Sequence, residues 1–98
     1  MRLGLTLLLA LPLSLHANEL GRKVFTDLAQ PPCGLCHTLK AAGAFGTIGP
    51  SLDELKPDPA RTAVAVRKGM GAMPPYAGKL TAEQIEAVSR YVAEVAGE

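Results

Sequence analysis

The chain has 98 residues, 48% of them apolar and 19% charged, with a formal net charge of +1. These values exclude two domains, a membrane-embedded body and a strongly basic nucleic-acid binder. The apolar residues are unevenly spread: eight of the fifteen leucines fall between Leu3 and Leu15.

That segment has one basic residue near its start, Arg2, then a nearly unbroken apolar run, then Leu15-His16-Ala17. A basic start, a short apolar stretch and a small residue at the end form the pattern of a secretory signal peptide. The run is about 13 residues, short of the roughly 20 that span a bilayer, and Pro12 interrupts it. Residues 1–17 are therefore expected to be an export signal cleaved near Ala17, with an uncleaved anchor as the alternative. Residues 18–98 then form the mature domain, with nine basic and nine acidic side chains, 36 apolar residues of which thirteen are alanine, and no tryptophan. A domain this small buries a modest fraction of its surface and needs a staple such as a disulfide, a metal or a cofactor.

From Glu19 to about Ala29, the spacing of Leu20, Val24, Phe25 and Leu28 predicts a short amphipathic helix, ended by Gln30-Pro31-Pro32. Residues 33–57 read as turns, with a short helix around Leu52–Leu55. Asp58 suits an N-cap, Pro59 a first helical position and Gly69 a stop, which together predict a second helix. The loop Met70-Gly71-Ala72-Met73-Pro74-Pro75 follows. A third helix opens at Thr81-Ala82-Glu83-Gln84, which has capping-box spacing, and ends at Gly97. No stretch alternates as a strand, so the expected class is all-α.

Cys33-Gly34-Leu35-Cys36-His37 is a C-x-x-C-H sequence, the signature of covalent c-type haem attachment. Two thiols three positions apart reach the two vinyl groups on one side of a porphyrin, and the adjacent histidine presents its imidazole to the iron. Attachment takes place outside the cytoplasm, in agreement with the export signal. A thioredoxin-like pair would need a βαβ setting. A structural zinc site wants four ligands, whereas the mature chain has two Cys and one His. A plain disulfide is the remaining alternative.

With His37 as proximal ligand, the sixth iron position needs another donor, and no second histidine follows residue 17. Met70 and Met73 are the only mature methionines. Pro74-Pro75 cannot continue a helix and would hold Met73 in an extended loop across the haem face. Met73 is the expected distal ligand, with Met70 or an open or lysine-bound site as alternatives. His/Met ligation raises the reduction potential.

In order along the chain, Gly21 to Phe25, the Cys33–His37 motif, Ile48-Gly49-Pro50-Ser51-Leu52, Gly71-Ala72-Met73-Pro74 and Tyr91 together resemble the class I cytochromes c. The resemblance implies three main helices wrapped around one covalently attached haem. It implies that the Pro50 carbonyl accepts a hydrogen bond from Nδ1 of His37, fixing ring orientation and tautomer. Gly21 and Phe25 would meet the last helix near Tyr91. One departure is the eight-residue step from Phe25 to Cys33, longer than is usual in the family. Phe45, Ile48, Leu52, Leu55, Val64 and Tyr76 are expected to wall the haem. Arg61, Arg67, Lys68 and Lys79 are read as solvated or as a docking ring, and Asp53-Glu54 as loop surface.

The function this implies is a periplasmic electron carrier, not an enzyme, cycling between Fe(II) and Fe(III). A dehydrogenase would be its donor and a cytochrome or terminal oxidase its acceptor, with no nucleic acid and no membrane span after cleavage. The run Pro32 to Leu39 with Gly43, and Met73-Pro74-Pro75-Tyr76, are also similar to cytochrome subunits of bacterial sulfite dehydrogenases. The alternatives are a tightly bound haem subunit of such a complex, or a haem sensor or enzyme with a labile sixth ligand.

Overall fold

The computed structural model describes residues 13–98, with side chains from Asn18 onward. The expected export signal falls on residues 1–12, outside the described residues, and on Leu13–Ala17, whose backbone is helical.

Helix α1 spans Leu13–Lys23 and widens into a π-helical turn, Val24–Leu28, closed by the Ala29 N–H on the Val24 carbonyl at 3.0 Å. The coil ends where the proline pair predicts, but it begins earlier and changes pitch. The Thr26 hydroxyl donates to the Arg22 carbonyl at 2.9 Å, taking up an acceptor that an α-helical N–H would otherwise use. Val24 and Phe25 are both fully buried at this widening.

A 3₁₀ turn, Cys33–Leu35, carries the cysteine motif. Strands β1 (Thr38–Leu39) and β2 (Ala44–Phe45) then pair antiparallel, Thr38 opposite Phe45 and Leu39 opposite Ala44. This small ladder was not expected, because two residues per strand show no alternation. The architecture is otherwise helical.

Helix α2 spans Leu52–Leu55, with the Ser51 hydroxyl accepting the Glu54 N–H at 3.3 Å. Helix α3 spans Pro59–Lys68; the Asp58 carboxylate accepts the Arg61 N–H at 2.8 Å, and Gly69 ends it at φ 73°. Gly69 is needed twice over, because a Cβ there would also strike the Met73 carbonyl oxygen at 2.6 Å. Helix α4 spans Ala82–Val95 and has both capping-box bonds, Gln84 N–H to the Thr81 hydroxyl at 3.1 Å and Thr81 N–H to the Gln84 side chain at 2.9 Å. It stops two residues before the expected Gly97.

The core is the crossing of α1 over α4. A Cβ on Gly21 would collide with the Ala87 carbonyl and the Tyr91 Cβ, so this close approach requires glycine. Beside it the Phe25 and Tyr91 rings pack tilted by 59° with centroids 6.3 Å apart. Asp53 corrects the loop-surface expectation. It is buried, and its carboxylate accepts the Gly97 N–H at 2.8 Å and the Lys40 N–H at 2.9 Å, tying α2 to the chain's end and to the turn after β1. Those two donors hold its carboxyl below the usual carboxylate range. Glu54 is exposed, as expected. Among the described residues no helix is long and apolar enough to cross a membrane.

Candidate cofactor site

One large cavity, of about 630 Å³, opens between the cysteine loop, the segment from Ile48 to Pro57, helix α3 with its following loop, and α4. Its size lies in the roughly 300–1,000 Å³ range of cofactor sites. The wall is apolar, and Arg61 is the one Lys, Arg, Asp or Glu on it among the described residues.

Cys33, Cys36 and His37 all face this cavity. The backbone sets them: the N–H groups of Cys36 and His37 both donate to the Cys33 carbonyl, at 3.2 and 3.1 Å, which folds the motif into a tight turn. No disulfide joins the two cysteines, so that alternative is not adopted. Burial pushes the Cys33 thiol up to about 11, with the neighbouring Cys36 adding to the rise against an opposing backbone hydrogen bond.

His37 is held from two sides. Its Nδ1 lies 2.7 Å from the Pro50 carbonyl oxygen. A carbonyl only accepts, so Nδ1 carries the proton and donates, which leaves Nε2 as the nitrogen available to a metal. Gly49 sits against the ring so closely that a Cβ there would lie 2.7 Å from Cε1. The Gly49 N–H in turn donates to the Cys36 carbonyl at 2.7 Å, fastening this loop to the cysteine turn.

Met70 and Met73 also line the cavity. They face each other across a two-residue turn, with Met70 N–H to Met73 carbonyl at 3.0 Å and the reverse at 2.9 Å. Directly opposed residues of such a bridge project to one face. Met73 is half-buried, whereas Met70 is 72% exposed. No lysine among the described residues lines the cavity.

Tyr76 is buried on the wall, and its hydroxyl donates to the Pro31 carbonyl at 2.6 Å. Burial raises its phenol to about 12, and Cys33 and Cys36 add to the effect. Ile48, Pro50, Leu52, Leu55 and Val64 line the cavity. Phe45 does not. In β2 it is Ala44 that turns inward, while Phe45 is 66% exposed and away from the cavity. Arg67, Lys68 and Lys79 lie on the exposed surface off the wall. Sequence reasoning missed Phe25, Pro31, Val66, Val88 and Val92 as wall residues. Helical periodicity marks several of these as buried, but a period does not tell a protein core from a cofactor.

The residues fit a covalent haem: two thiols, an imidazole with Nε2 free and a thioether converge on one apolar cavity. No three His, Cys, Asp or Glu side chains among the described residues form a metal-binding group, so the zinc alternative lacks ligands. The family described as cytochrome c oxidase, cbb3-type, subunit III matches residues 17–92. Cytochrome c6 of Microcystis aeruginosa is 67% identical over 27 residues, which is 28% of this chain and only 33% of that relative's length. The crystal structure of the c-type cytochrome SorU from Sinorhizobium meliloti is 51% identical, with a TM-score of 0.82 over 85% of this chain and 94% of that one.

Proposed function

This chain belongs to the c-type cytochromes, of class I fold with covalently attached haem c, and on that premise we propose that it is a periplasmic one-electron carrier in which His37 and Met73 would hold the iron. When bound, the haem supplies the Fe(II)/Fe(III) couple. Cys33 and Cys36 would provide the two thioether attachments, and His37 would offer Nε2 to the iron. Met73 offers its sulfur from the opposite loop in preference to the exposed Met70.

The observation that carries this reading is the His37–Pro50 hydrogen bond, with Gly49 wedged against the ring. It presets one imidazole nitrogen as donor and the other as ligand, and it raises the ligand's basicity. Pro31, Pro50, Val66, Tyr76 and Val92 exclude water around the couple, which keeps reorganisation small when the electron moves. Exposed Ile48, Val64 and Met70 form an apolar rim where a partner approaches. The donor is a periplasmic dehydrogenase, a sulfite dehydrogenase on the narrower sequence resemblance, and the acceptor a cytochrome or terminal oxidase. The leader-like residues 1–17 support the location.

The optical spectrum of the oxidised protein tests the reading. A weak near-infrared band of methionine–iron charge transfer is expected in the wild type and lost in Met73→Ala. A wild-type protein without that band, whose reduced form binds CO readily, would overturn His/Met ligation.

A further inference from the structure

The loop from Gly69 to Tyr76 carries the proposed distal ligand, and the bonds that shape it are mostly its own. The Met70–Met73 pair closes its tip, and the Tyr76 N–H returns to the Val66 carbonyl of α3 at 2.8 Å. Such bonds set the loop's form and join it to α3. They do not set its distance from the opposite wall of the cavity. The apolar contacts across the cavity are non-directional and do not single out one distance.

One directional contact crosses over. The Tyr76 hydroxyl donates to the carbonyl of Pro31, two residues before Cys33, at 2.6 Å. No other side-chain hydrogen bond among the described residues links these two loops. Between Met73 and Tyr76 stand only Pro74 and Pro75, each with φ fixed by its ring. A displacement at Tyr76 therefore passes to Met73 along a stiff connection.

We propose that the Tyr76 hydroxyl is a latch that positions the Met73 sulfur, by referring the distal loop to the same cysteine segment that anchors the cofactor's edge. Tyr76 is a positioning residue and acts through Met73, so the inference rests on the His/Met reading above. Losing the hydroxyl leaves the ring in the wall but lets the distal loop swing from the cavity.

The test uses haem-loaded protein in four forms: wild type, Tyr76→Phe, Met73→Ala and the double variant. The readouts are the rate of CO binding to the reduced form and the near-infrared band of the oxidised form. Tyr76→Phe is expected to weaken the band and to speed CO binding about tenfold, the scale set by one hydrogen bond. In the Met73→Ala background the same substitution is expected to change nothing, since the hydroxyl has no ligand left to hold. A Tyr76→Phe rate within about twofold of wild type overturns the latch. So does an equal acceleration in the Met73→Ala background, which would make the hydroxyl a general barrier to CO. Should Met73→Ala itself leave band and CO rate unchanged, the ligand reading fails instead. If Tyr76→Phe does not assemble with haem, hydrogen exchange in the wild-type holoprotein decides. Amides of Met70 and Met73 that open together with that of Tyr76 support the latch. Free exchange at Met73 beside a protected Tyr76 overturns it.

Discussion

Replacing Gly49 by alanine tests the geometry of the proximal side directly. The added methyl would lie 2.7 Å from Cε1 of His37, 3.1 Å from Nδ1 and 3.2 Å from Nε2. The backbone of Gly49 is fastened through its N–H to the Cys36 carbonyl at 2.7 Å, so the loop has little room to withdraw. The imidazole must therefore give way by about 0.7 Å to regain an ordinary contact of 3.4 Å. Moving off the glycine strains or breaks its 2.7 Å bond to the Pro50 carbonyl. Overpacking of this kind costs about 1–3 kcal/mol and a lost hydrogen bond about 1 kcal/mol. Near 3 kcal/mol, the fall in Tm is roughly 12–24 °C for a domain of this size. An imidazole without its Nδ1–H acceptor is the poorer donor to Fe(III), so the reduction potential is expected to rise. Thermal melts and redox titrations of the holoprotein measure both. Gly43→Ala is the control: its φ of 68° carries backbone strain, but nothing lies within 4 Å of the added methyl. That variant is expected to lose stability with no change in potential. A Gly49→Ala protein with wild-type Tm and potential would refute the wedge.

Three other perturbations report on separate parts of the molecule. Serine at both Cys33 and Cys36 in the unprocessed gene is expected to yield little folded protein, and a stable haem-free helical domain seen by circular dichroism would contradict this. Gly21→Val drives a side chain into the Ala87 carbonyl and Tyr91 at the α1–α4 crossing; it is expected to cost about 3 kcal/mol in denaturant unfolding. Asp53 governs the acid limb. Its folded carboxyl is held below the ordinary 3.8 by the Gly97 and Lys40 N–H groups, so the unfolded chain binds more protons there. Its contribution is complete above the ordinary value and is lost as pH falls through the folded value. Asp53→Asn is expected to flatten stability against pH between about pH 5 and pH 2, and an unchanged acid limb by urea titration would count against the tie.

The parts of the fold legible in the sequence are those where one residue's local chemistry decides the backbone. Asp58, Pro59 and Gly69 mark the bounds of α3, and Thr81 with Gln84 the start of α4, because caps act over three or four residues. Cys33-x-x-Cys36-His37 is legible for the same reason, since its reactive groups are neighbours in the chain. Phe45 went astray where the deciding partner is remote: β2 exists only by pairing with β1, and that register turns Ala44 inward and Phe45 out. Asp53 was unreadable for a stronger reason. Its two donors are thirteen and forty-four residues away, and both are backbone amides of unremarkable residues. The Tyr76–Pro31 bond spans forty-five residues and is equally silent in a linear reading.

The cavity also explains how so alanine-rich a domain stays folded. Phe25, Val88 and Val92 belong to the α1–α4 packing and line the cavity as well, so the protein core and the cofactor site share a wall. Removing what fills the cavity would expose the inner side of the core itself. At about 24 cal/mol per Å³, a rigid dry void of about 630 Å³ would cost roughly 15 kcal/mol. That is an upper bound, because the mouth admits water and the loops can collapse. It nonetheless matches the whole stability of about 5–15 kcal/mol typical of a small domain. The directional bonds around the cavity cannot make up the difference, since each contributes only about 1 kcal/mol. They fix where the ligands stand. A haem disc joined at Cys33 and Cys36, as proposed above, would supply the apolar mass that the thirteen alanines of residues 18–98 do not.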